Sequence, residues 1–162
     1  MRTRALGIAV LLIVATAAAE PLREGLRMPA LALSDQHDAA GSIDSETRCV
    51  LFSRDMGGAN ILRDALADDA QTVLASAGAV VVSDISRMPS LITKLFALPA
   101  MRKRPYRMLL DREGRMTADL PSEKGRVTVL RLNALTIEHI EFVDSADTLR
   151  TALGHAAGAP SQ

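Results

Sequence analysis

Apolar residues in this chain fall into two patterns, short unbroken runs and helically spaced clusters, and the two take turns along the sequence. "CVLFS" (49–53) is a continuous apolar run of strand length, the pattern of a strand covered on both faces. From Asn60 to Ala77, Ile61, Leu62, Leu66, Val73 and Leu74 are spaced for one or two helices. "AVVVSD" (79–84) is a second, β-branched run, "YRMLLD" (106–111) a third, and "VTVLRLN" (127–133) and "IEHIEFV" (137–143) complete five strands, with "REGR" (112–115) as a turn. Between the second and third strands Ser86 is placed to cap a helix whose apolar face is Leu91, Ile92, Leu95 and Phe96, and Pro99 is expected to bend or restart it. Asp144 or Ser145 caps a last helix with Leu149 and Leu153 facing inward, and residues 155–162 read as a flexible tail. Upstream, residues 20–47 are a polar lead-in with short apolar pieces, "MPALALSDQHDAAGSIDSETR", and a turn at Asp38 to Gly41.

Strands and helices in this order, joined by short connections, predict an α/β sandwich with a central mixed β-sheet flanked by helices. The first residues stand apart from that pattern. Met1-Arg2-Thr3-Arg4 is a basic head, Ala5 to Ala19 is uncharged and mostly apolar, and Ala17-Ala18-Ala19 puts small residues where a signal peptidase reads them. Residues 1–19 are therefore expected to be a secretory signal cleaved before Glu20, too short and Ala-rich for a spanning helix, and the mature protein is expected in the periplasm or medium without stable membrane insertion. Residues 20–154 then make one domain with room for a real core.

Removing residues 1–19 takes away Arg2 and Arg4 and no acid, which leaves 17 basic and 19 acidic residues. That balance supplies no global field for nucleic acid or an acidic membrane. Trp is absent and the aromatics are three Phe and one Tyr, so the core is built from Leu, Val, Ile, Met and Ala. The single cysteine, Cys49, has no partner for an internal disulfide and starts an apolar strand, the setting of an inert packing residue.

"VLFSRDMGGANILRDAL" (50–66) resembles the strand, active-site turn and helix of the thioredoxin-like fold. "RPYRMLLDREGRM" (104–116) is similar to the later strand of that fold, which follows a cis-proline, and "MPALALSDQHDAAGSID" (28–44) to the opening hairpin of secreted thioredoxin-like and peroxiredoxin-like proteins. The resemblance spans roughly residues 27–154 and implies a thioredoxin-like sandwich. It places the redox Cys-x-x-Cys on Met56-Gly57-Gly58-Ala59, where a thioether and a methyl cannot perform thiol–disulfide exchange. It also implies that Pro105, preceded by Arg104, is the cis-proline, and that Met56, Gly57 and Gly58 lie beside Arg104, Pro105 and Tyr106 as a surface for an envelope protein or an extended peptide.

Other chemistry is thin. His37, His139 and His155 have no short metal-ligand spacing, and no Gly-x-Ser-x-Gly elbow or phosphate-binding loop occurs. Gly57-Gly58 before a helix reads as a plain turn or as a concavity of N–H groups for an anion. Arg54, Asp55, Asp84, Ser86 and Arg87 fall at the ends of the two central strands, where open α/β sheets bind ligands, so an enzyme of unrecognised type is the alternative to a binding or accessory protein. A flavin-linked (FAD/FMN) oxidoreductase is one form of that alternative. Lacking Gly-x-Gly-x-x-Gly and aromatics to stack a flavin ring, the chain implies no cofactor and no metal.

Overall fold

A computed structural model describes residues 21–158. The expected signal segment, residues 1–19, and the last four residues of the expected tail lie outside the described residues. Seven strands are present: β1 Leu31–Asp35, β2 Ala40–Ile43, β3 Cys49–Ser53, β4 Ala79–Asp84, β5 Met108–Asp111, β6 Val127–Asn133 and β7 Thr136–Val143. They form one mixed sheet in the order β2-β1-β5-β4-β3-β6-β7. β3, β4 and β5 run parallel, with Ser53 opposite Ser83 and Asp84 opposite Asp111. β6 pairs antiparallel with β3, β7 with β6, and β1 with both β2 and β5.

β3 is buried at all five positions, as its unbroken apolar run predicts, because both faces are covered. On one face Cys49, Leu51 and Val81 meet Leu62, Leu66, Leu74, Leu149 and Leu153 from the helices α1 Met56–Ala65, α2 Ala70–Ala77 and α5 Ala146–Gly158. On the other, Val50, Phe52 and Val82 meet Met28, Ile43, Leu120 and Leu135 from the lead-in and the loops. α1 turns Gly58, Leu62 and Ala65 inward at helical spacing, and α2 stops at Gly78 with a left-handed φ of 57°. Ser145 caps α5 by accepting from the Thr148 N–H at 3.2 Å, and the helix continues to Gly158, past the residue where fraying was expected.

The connection from β4 to β5 departs from expectation. Ser86 does not cap a helix. Its N–H and hydroxyl both donate to Asp84 Oδ1, and helix begins only after Pro89, as α3 Ser90–Ile92, a π-helical turn Thr93–Ala97 and α4 Leu98–Arg102. Pro99 has no N–H to give the Leu95 carbonyl, so the irregular stretch falls just before it, and Leu98 N–H reaches back to Thr93 O. Leu98 and Met101 are the residues this helix buries. Leu91, Ile92, Leu95 and Phe96, the predicted apolar face, are exposed.

Pro105 is also corrected. No cis peptide bond occurs among the described residues, so Arg104–Pro105 is trans. The strand after it, β5, runs parallel to β4 at two strands' remove from β3. The antiparallel neighbour of β3 is β6, which the chain enters through Gly125 and Arg126.

Candidate functional site

The carboxyl ends of β3 and β4 and the start of α1 converge on one cleft. Ser53 and Ser83 end the two apolar runs in register, and their hydroxyls are 2.7 Å apart and buried at its floor. Beyond Ser53 the side chains alternate faces. Arg54 turns to the helix-free face, where its guanidinium lies 5.1 Å from the Phe52 ring centre. It donates to the carbonyls of Thr117, Ala118 and Leu120 and to the Ser122 hydroxyl, and its Nε sits 3.4 Å from Asp84 Oδ2. Asp84 is thereby shared between Arg54 and Ser86. Arg54 thus holds the 117–122 loop on the sheet, and the buried Asp84 holds Arg54.

Asp55 is the N-cap of α1. Its Oδ1 accepts from the Gly58 N–H at 3.0 Å and its Oδ2 from the Gly125 N–H at 2.7 Å. Burial raises the pKa of this carboxyl, but hydrogen bonds from the backbone of Gly125, Gly58 and Gly57 outweigh it and hold the value below the usual range. The helix N-terminus therefore already has its anion. The two glycines serve close approach rather than a bare turn. A Cβ on Gly57 would stand 2.7 Å from Gly125 Cα, and one on Gly58 2.5 Å from the Arg126 carbonyl oxygen. Both lie inside α1, which they let press against the loop that leads into β6.

Met56 is the first residue of α1 and is 63 % exposed, at the mouth of a cleft of about 220 Å³. Arg54, Asp55, Met56, Asp84, Arg87 and Arg104, six of the residues singled out from sequence, line this cleft together. Gly57 and Gly58 face Gly125 and Arg126, so the expected contact of these glycines with Arg104, Pro105 and Tyr106 is not made. Tyr106 is 3 % exposed. Its carbonyl accepts from the Gln36 side-chain amide, and its hydroxyl takes a hydrogen bond from Arg104 at 3.1 Å. It is a core residue and offers no aromatic anchor.

Sequence reasoning missed Met88, Met101 and Met108, which join Met56 in an apolar, polarisable wall, and the Ser53–Ser83 pair. The serines carried a signal: each central run ends in Ser followed by a charged residue, which a parallel alignment places side by side. The methionines carried none, since their convergence depends on the β4–β5 connection.

Cys49 lies fully buried on β3, facing the helices, and burial pushes its thiol up to about 12 against a smaller opposing pull from Arg131. A thiol so placed stays protonated and unreactive at neutral pH. Asp111, at the end of β5, accepts from the Glu113, Gly114 and Thr117 N–H groups and the Thr117 hydroxyl, so it closes its own loop. Among the described residues no three or more His, Cys, Asp or Glu are grouped to hold a metal ion.

No family model matches the chain, and no curated protein matches it in sequence. Solved structures do match in fold. The crystal structure of the peroxidoxin BcpB from Mycobacterium tuberculosis superposes with a TM-score of 0.59 at 16 % identity, covering 86 % of this chain and 99 % of that one. A candidate thiol:disulfide interchange protein DsbE from Chlorobium tepidum gives 0.56 at 14 % identity, covering 85 % and 99 %. The thioredoxin domain of a thiol-disulfide oxidoreductase from Bacteroides vulgatus gives 0.50 at 15 % identity, covering 82 % and 99 %. The protein thus has a thioredoxin-like fold without a Cys-x-x-Cys pair, carrying one cysteine, on the central strand.

Proposed function

We propose that this is a secreted or periplasmic thioredoxin-like protein that binds an envelope protein or extended peptide and performs no thiol–disulfide exchange. The observation that carries the reading is the pairing of Met56 and Ala59 at the start of α1 with a fully buried Cys49. Disulfide exchange needs an accessible thiolate to attack sulfur, and neither position nor state provides one. The cleft beside Met56 suits binding. It has methionine walls, which adapt to varied apolar side chains, and at its rim Arg87 and Arg104 favour an acidic segment. The strand-end carboxylates that an enzyme would use as acid or base, Asp84 and Asp111, are occupied by internal partners. The secreted location rests on the sequence pattern of residues 1–19.

Two measurements test the reading. Insulin reduction by the purified protein should stay at the uncatalysed rate. A photo-crosslinker at position 56 in native-host cells should give discrete adducts that a crosslinker at position 150 does not, and Arg87→Glu with Arg104→Glu should diminish them. Turnover in the insulin assay, or adducts at 150 and none at 56, overturns the proposal.

A further inference from the structure

The β4–β5 connection presents a helix that is apolar on opposite sides. Leu98 and Met101 enter the core, while Leu91, Ile92, Leu95 and Phe96 point away from it at 71, 50, 60 and 69 % exposure. A soluble helix ordinarily turns charged residues outward, and four large apolar side chains standing together in water mark a surface that something covers.

The charge around the stripe says what kind of surface covers it. From Ile85 to Leu110 the chain has six Arg and Lys and no acidic residue. Arg102 and Arg107 pair with Asp38, which Arg112 shares, and with Asp35 across the fold. Arg87, Lys94 and Lys103 are exposed, and their side chains have no hydrogen-bond or ion-pair partner among the described residues. Lys94 lies within the stripe itself, one turn from Leu91, and the other two flank its ends. A second copy of this chain is a poor cover, because a two-fold contact sets each patch against its own like and brings these cations together. The complement is an apolar layer behind a sheet of negative charge. An amphipathic helix with Leu and Phe on one side and flanking Lys and Arg meets that complement at the headgroup level of an anionic bilayer.

We infer that the outward face of the helix from Ser90 to Arg102 docks on an anionic phospholipid surface, with Leu91, Ile92, Leu95 and Phe96 entering the headgroup layer and Arg87, Lys94 and Lys103 pairing with lipid phosphates. The inference shares only Arg87 with the cleft at Met56 and orients that cleft beside a membrane instead of in free solution. It involves no spanning segment, and no described helix is long and apolar enough to cross a membrane.

The test mixes the full chain with extruded vesicles of phosphatidylcholine, alone or with about one-third phosphatidylglycerol, and reads binding by co-sedimentation. The native protein should bind the anionic vesicles and fall off as salt rises. Leu95→Ser with Phe96→Ser should weaken binding roughly tenfold or more by removing the inserted area, and Lys94→Gln about fivefold. All these positions are exposed, so thermal melts should coincide with the native one. Residues 1–20 are present in every protein tested, and binding through that apolar run would survive the double variant unchanged. Unchanged binding, equal binding to neutral and anionic vesicles, or no binding to either overturns the inference. Capture of an acidic polypeptide by this face while vesicles do not bind overturns it too.

Discussion

Replacing Gly58 by Ala should destabilise this protein, although Gly to Ala inside a helix ordinarily stabilises by about 0.5–1 kcal/mol through backbone entropy. The reason is the neighbour. The new methyl carbon would stand 2.5 Å from the Arg126 carbonyl oxygen, 3.2 Å from its carbon and 3.1 Å from Ser53 Cβ. Those atoms are backbone and a buried strand residue, and none can swing aside as a side-chain tip would. Arg126 is held on one side by Val127, which opens the β6–β7 ladder opposite Val143, and on the other by Gly125, whose N–H is bound to Asp55. Relief requires α1 to lift from the loop, which stretches the Asp55 cap. Overpacking of a rigid site costs about 1–3 kcal/mol. Set against the entropic gain, the middle of these ranges leaves a net loss of about 1 kcal/mol, or roughly 3–5 °C in Tm for a domain of this size. Gly154 provides the control. It lies in α5, where an added methyl group would have no heavy atom within 4 Å, so Gly154→Ala should raise stability by about 0.5–1 kcal/mol. Urea melts of the two variants should move in opposite directions. A Gly58→Ala protein as stable as the native one would refute the close-packing account and return the Gly-Gly pair to a plain turn.

The legible part of this fold is the part set by local pattern. β3 and β4 announce themselves because a run covered on both faces stays apolar until its polar end, and α5 because Leu149 and Leu153 repeat at one helical turn beside a capping serine. What misled was partnership at long range. "RMLLD" and "VTVLRLN" are both apolar runs after a polar loop, and only the pairing shows that the second one runs antiparallel to β3. Assigning Pro105 to the wrong strand moved the partner of the active-site turn from Gly125–Arg126 to Arg104–Tyr106. Gly125 gave no local cue, since a glycine in "SEKGR" reads as any turn. The stripe Leu91, Ile92, Leu95 and Phe96 was legible as an apolar face, but its exposure was not. Periodicity identifies an apolar side, whereas what covers that side depends on the rest of the fold or on a partner. Within the cleft, Arg54, Asp55, Asp84 and Arg87 were found because strand ends share a location, but their roles were not legible. That Arg54 holds a loop, that Asp84 holds Arg54 and that Asp55 ties α1 to Gly125 depends on residues far along the chain, up to 70 positions away.

Further outcomes follow from the same geometry. Cys49 should resist maleimide in the folded protein at pH 8 and react at once in denaturant, since burial holds its thiol near 12; prompt labelling of the native state would show that β3 is accessible. Arg54→Ala should cost about 2–4 kcal/mol, because it strips the 117–122 loop of its donors and leaves Asp84 buried with only Ser86, and limited proteolysis should then cut in that loop. A loop as resistant as the native one would show that Arg54 does not hold it. The last outcome concerns acid. Asp35, Asp55 and Asp111 are each pushed up by burial and held down more strongly by hydrogen bonds, Asp35 also by Arg107, so their folded pKa values lie below their unfolded ones. A group of that kind binds its proton more readily when unfolded, so its stabilisation is full above the unfolded pKa and disappears as pH falls through the folded one. These three carboxylates should therefore leave stability level from about pH 5 to 7 and make it drop below about pH 4. Asp111→Asn separates this effect from packing. The amide keeps the size of the carboxyl but turns an N–H₂ toward donors at 2.8–3.2 Å, from Glu113, Gly114 and Thr117, that need an acceptor. At pH 7 the variant should be clearly less stable than the native protein, and at pH 3, where the carboxyl of the unfolded chain is largely protonated, the gap should narrow. A gap of equal size at both pH values would mean that Asp111 contributes shape alone and that its charge does not hold the loop at the end of β5.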